Sequence, residues 1–121
     1  MNYNFDWSAV SNGALYVSIS TLGIAFNSLS IERLGSPEKV IVGFDEKNCA
    51  IGIKKYDGEE GVKPYKFANR IKNGWVRLGC KGFVTYLQSI TEIDFSSAKR
   101  YIAKYDAENR VLVVRVKAED Q

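Results

Sequence analysis

The chain is 121 residues long, 45% hydrophobic and 26% charged, the ordinary composition of a single soluble globular domain. Its apolar runs are only a few residues long, well short of the roughly 20 that a membrane-spanning helix needs, and Met1 to Trp7 offers neither the basic nor the apolar stretch of a signal peptide, so a cytoplasmic protein with no membrane partner is expected. The net charge of +3 divides unevenly: residues 1–60 hold five basic and eight acidic side chains, a net −3, while residues 61–121 hold twelve and six, a net +6, so an anionic partner belongs with the second half.

Residues 1–13 read as a lead-in. Tyr3, Phe5 and Trp7 alternate with Asn4 and Asp6, which suits an extended arm laying three rings on one surface, and Asn12-Gly13 marks a turn. Val17 and Ile19 then alternate with Ser18 and Ser20 as a half-buried strand, Gly23 allows a tight turn, and Ile24 to Phe26 resumes an extended apolar pattern. Asn27 or Ser28 caps a short helix whose inner face carries Ile31 and Leu34. Gly35 ends it as the first residue beyond the cap, and Pro37 prevents its resumption. Val40, Val42 and Phe44 form a third strand, Asp45 to Asn48 a hairpin turn, and Ala50 to Lys54 a fourth, giving the order β-β-α-β-β.

A second copy of this plan follows a linker. Residues 55–73 are turn-rich and acidic at Asp57 to Gly61, then positive at Lys63, Lys66, Arg70 and Lys72 around Tyr65 and Phe67. Residues 67–71 suit either a strand or one helical turn. From Asn73-Gly74, Val76 and Leu78 take the places of Val17 and Ile19, Gly82 that of Gly23, and Leu87, Ile90 and Ile93 form a helix stripe. Residues 97–105 are ambiguous: Ala98, Tyr101, Ile102 and Tyr105 follow helical spacing, whereas the repeat makes Arg100 to Asp106 a strand, the reading adopted. Val111 to Val116 is the strongest strand signal in the chain. The two halves align at a separation of 59 for Gly23 and Gly82 and of 61 for Asp45 and Asp106, with seven identities in 32 pairs. The expected architecture is α+β, mostly β: one domain over 1–121, with repeat 1 at 14–55, a linker at 56–73 and repeat 2 at 74–117, packed into a pseudo-symmetric barrel-like body.

The unit Val-x-Ile-Ser-x-x-Gly-x-x-x-Phe, a short helix ending in Leu34-Gly35 and a two-stranded hairpin resembles the AbrB/SpoVT/MazE-type swapped-hairpin domain over about two thirds of the chain. In that family two such units interleave into a small barrel, and tandem copies occur in the MraZ group. The resemblance implies a prokaryotic or phage transcriptional regulator that binds DNA. The chain departs from the family's pattern at two places. Ile24 and Phe83 follow the turn glycines where a basic residue is common, and Asn27 and Tyr86 stand near the usual proline.

Three classes of function compete. Nucleic-acid binding rests on the basic second half, with Lys63, Lys66, Arg70, Lys72, Arg77 and Lys81 on one side of the helix and Lys99, Arg100 and Lys104 beyond it, and with Tyr65 or Trp75 available to stack. Arg77 and Lys81 are the strongest candidates, because copy one carries Ser18 and Leu22 there. A non-catalytic interaction or assembly module, pairing through sheet edges with a protein partner or a second copy, is the alternative. Enzyme activity is not expected, nor any cofactor or metal. The chain has no histidine, Cys49 and Cys80 lie in no metal or redox motif and read as buried thiols, and the acidic pairs Asp45-Glu46 and Glu59-Glu60 fall in turns.

Overall fold

The computed structural model describes residues 14–67, 72 and 74–116. The aromatic arm at Tyr3, Phe5 and Trp7, the segment 68–71 and the C-terminal tail lie outside these residues. Eight strands and two helices follow in chain order: β1 (Leu15–Ser20), β2 (Gly23–Phe26), α1 (Ser28–Arg33), β3 (Lys39–Asp45), β4 (Ala50–Lys55), β5 (Tyr65–Lys66), β6 (Val76–Leu78), α2 (Lys81–Thr91), β7 (Lys99–Asp106) and β8 (Val111–Arg115). They build one antiparallel sheet in the order β5-β3-β4-β8-β7-β1-β2-β6, nearly closed into a barrel. The alternation seen in the sequence sets its inner face. Leu15, Val17 and Ile19 of β1, Ile51 and Ile53 of β4, Val76 and Leu78 of β6, and Leu112 and Val114 of β8 are all buried. Among the described residues no helix is long and apolar enough to cross a membrane.

Strands from the two halves interleave. β1 pairs with β7, β2 with β6, and β4 with β8. The edge strands β5 and β6 do not pair with each other. Across that seam the rings of Phe26 and Phe67 meet edge to face, with centroids 5.3 Å apart and planes at 78°.

Local signals explain α1. The Asn27 side-chain oxygen accepts the Ser30 amide (3.0 Å) and also the Tyr16 amide (3.2 Å), while its Nδ2 donates to the Ala14 carbonyl (3.2 Å). One side chain thereby caps the helix and holds it to the start of β1. At the far end Gly35 takes φ 82°, the Ser36 amide donates to the Ile31 carbonyl and the Gly35 amide to that of Glu32, a Schellman closure.

The second hairpins of the two halves share one turn. Asn48 Nδ2 donates to Asp45 Oδ2 and Asn109 Nδ2 to Asp106 Oδ2, both at 2.7 Å, and Cys49 and Arg110 at the ends of the turns take φ 51° and 58°. Residues 99–106 form a strand, so the helical spacing at 97–105 is overruled. Ala103 pairs with both Leu15 and Val114, and that partnership on two sides outweighs a local period.

The second half departs from the expected β-β-α-β-β plan and is β-α-β-β from β6 onward. Where β2 was expected to recur, α2 begins at Lys81, and Gly82 lies inside its first turn. Gly23 takes φ 140° hard against β6, where a Cβ would collide with the Leu78 carbonyl oxygen; Gly82 has neither constraint. The apolar pattern differs too. Ile24 and Phe26 are buried around a half-buried Ala25, a period of two, whereas Val84, Leu87 and Thr91 are buried at i, i+3 and i+7. The stripe expected at Leu87, Ile90 and Ile93 is therefore corrected, since Ile90 is exposed and Ile93 lies beyond the helix.

Candidate nucleic-acid interface

The outer face of the sheet is read directly from the strand register. Arg77 of β6 stands opposite Ala25 of β2, Ala25 opposite Ser18 of β1, and Ser18 opposite Arg100 of β7. Arg77, Ala25 and Ser18 alternate with buried neighbours, and Arg100 is paired with Ser18, so all four share the outward side. An arginine thus stands at each end of a row crossing four strands, about 14 Å from end to end at the usual strand spacing, with only a serine and an alanine between. The Arg100 guanidinium lies 5.5 Å from the centroid of the Tyr16 ring, and Lys104 follows on the outer side of β7 beyond the exposed Ile102.

Beside Arg77 the same face hollows. Lys72 and Trp75 exchange two backbone hydrogen bonds (2.7 and 3.0 Å) around Gly74, whose φ of 78° closes the turn. Trp75, two residues before Arg77, faces outward and is 37% exposed. A shallow depression of about 590 Å³ is lined by Ala25, Lys72, Trp75, Val76, Arg77 and Gly79. The small residues Ala25 and Gly79 leave the space, and Trp75, Lys72 and Arg77 border it.

The remaining predicted cations divide. Lys63 lies 5.4 Å from the centroid of the Tyr65 ring and its charge reaches the Cys80 thiol, so it sits near the first turn of α2, where the exposed Lys81 stands. Lys66 pairs across the sheet with Lys39. Lys99 stands opposite the buried Ile19 and points away from the side that Arg100 faces. Arg70 falls outside the described residues. Lys104 shares the face of Arg100 by the period of two once β7 is a strand, whereas Lys39 joins Lys66 only through the β3–β5 pairing, which nothing in the sequence signals.

Among the described residues the two ion pairs are Lys54 with Glu59 (3.5 Å) and Lys55 with Asp57 (3.9 Å), and neither includes a cation of this row. No described carboxylate reaches salt-bridge distance of Lys72, Arg77 or Arg100. The perturbed carboxylates have local causes. Asp45 and Asp106 are held below the usual range first by the side-chain hydrogen bonds from Asn48 and Asn109. The turn amides of Ser96 and Asp57 act first on Asp94 and Glu59. Burial pushes the Cys80 thiol up to about 11, which makes it an inert core group, while Cys49 is half-buried. No group of three metal-ligating side chains occurs among the described residues.

No protein-family model, no curated protein and no solved structure matches the chain.

Proposed function

We propose that this is a non-enzymatic, nucleic-acid-binding protein, a DNA-binding regulator of the prokaryotic or phage kind that the AbrB/SpoVT/MazE resemblance implies, built on a tandem duplication. The observation that carries the reading is the outward row Arg77–Ala25–Ser18–Arg100 with Lys72 and Trp75 at its end. Guanidinium groups with no described carboxylate at salt-bridge distance are suited to phosphate oxygens, which they reach bidentately. The shared Asp-x-x-Asn turns of the two second hairpins and the interleaved strands support the duplication. The missing second strand in copy two means that one half has since been rebuilt as helix.

The test is salt-dependent binding to random-sequence oligonucleotides. Reversing Arg77→Glu with Arg100→Glu lowers affinity and reduces the log–log salt slope by about 0.7–0.9 for each phosphate that is no longer neutralised. Lys54→Glu with Lys55→Glu, whose side chains already have carboxylate partners, changes it little. Equal effects from the two pairs refute the placement of the site.

An interaction module is a second reading, favoured by one observation. Gly43 and Gly52 face each other across β3 and β4, and the outer surface over them is a mostly apolar hollow lined also by Ile41, Val42, Lys54, Val62 and Val111. Concentration-dependent sedimentation that shifts on Gly52→Lys would favour it.

A further inference from the structure

We infer that the depression beside Trp75 takes an unpaired nucleobase, stacked on the indole, with its flanking phosphates on Lys72 and Arg77, so that the ligand is single-stranded nucleic acid rather than duplex. This rests on the nucleic-acid reading above and narrows it.

Reading duplex DNA from the major groove requires an element that projects far enough to enter it, a helix or a two-stranded ribbon carrying donors and positive charge. The helix with its cap residues and the two hairpin tips carry no excess of positive charge. α2 carries one cation, Lys81, and the rest of its exposed side is Gly82, Thr85, Tyr86, Ser89 and Ile90. The β3–β4 hairpin tip sets Asp45 and Glu46 against Lys47, and the β7–β8 tip Asp106 and Glu108 against Arg110, so each tip is net negative toward phosphate. The positive side chains instead lie on the outer surface of a sheet, beside an exposed aromatic ring. Stacking on such a ring needs a base withdrawn from its own stack, which a single strand offers without the cost of opening a duplex.

The local geometry is suited to one base. The paired backbone of Lys72 and Trp75 fixes where the indole emerges, Ala25 and Gly79 keep the adjacent surface low, and Arg77 borders the same hollow. From there the row through Ser18 leads a phosphate chain to Arg100, a span of about 14 Å that two to three nucleotides of extended strand cover. Every base has a stacking face, so this site selects unpaired strands and not a sequence.

The chain has two tryptophans, so a Trp7→Phe protein reports on Trp75 alone. Oligo-dT, oligo-U and a blunt duplex are titrated against its emission at low and moderate salt. Quenching by one or both single strands but not by the duplex, an affinity about tenfold lower for Trp75→Ala, and recovery in Trp75→Tyr are expected; the dT and U arms distinguish DNA from RNA. Binding that depends on Arg77 and Arg100 but is equal for duplex and single strand, with unchanged Trp75 emission, overturns the stacking inference and leaves the nucleic-acid reading standing. No salt-sensitive binding to any of the three overturns both.

Discussion

Gly23 is the position where a single atom decides the fold. Its φ of 140° is costly for any side chain, and its Cα lies so close to the Leu78 carbonyl that β2 and β6 could not both keep their places around a methyl group. Gly23→Ala is therefore expected to destabilise the protein by about 2–4 kcal/mol, against a few tenths for Gly43→Ala, where the backbone is ordinary and the space is open. Chemical denaturation of the two variants makes the comparison, and equal losses would mean that the β2–β6 contact does not hold Gly23 as described. The glycine was legible in the sequence as a turn residue. Its contact with a strand more than fifty residues later was not, because nothing in the local pattern announces a β2–β6 pairing.

At the scale of elements, what the sequence revealed and what it hid have the same cause. α1 was legible at both ends because its stop and start signals are local: Asn27 bonds three residues ahead and Gly35 closes the last turn. The β7 strand was legible only through the repeat, since its own apolar spacing is helical and its conformation is imposed by neighbours on both sides. The same repeat misled at Gly82, where matching glycines concealed a change from period two to period 3.6. The candidate site follows this division. Arg77, Lys72 and Trp75 were visible as a local cluster, but their alignment with Arg100 depends on two strands of the other half lying between them.

The hairpin turns carry a pH signature at this scale. Asp45 and Asp106 accept from Asn48 and Asn109 and are held below the ordinary carboxylate range in the folded chain. Their contribution to stability is thus present above the unfolded-state value of about 4 and is lost as pH falls through the lower folded value. The protein is expected to lose more in Tm between about pH 5 and about pH 2 than an Asp45→Asn, Asp106→Asn variant does. Parallel curves for the two would show that the turns do not depend on charge.

For the whole molecule, interleaving makes each half a poor fold alone. β1 lies between β2 and β7, and β4 between β3 and β8, so a 1–55 fragment leaves both strands with a bare edge and exposes Val17, Ile19, Ile51 and Ile53. Such a fragment should be unfolded or should dimerise in sedimentation, and a stable monomeric 1–55 would contradict a shared core. Circumference is a different matter from length. The nearly closed barrel is laced by backbone hydrogen bonds through seven strand pairs, and the rings of Phe26 and Phe67 meet across the remaining seam. Among the described residues that seam is the line around the girth where neighbouring edges meet through side chains and not through a ladder. β6, the strand that carries Arg77, borders that line, so one wall of the candidate site is laced to the barrel on the β2 side alone.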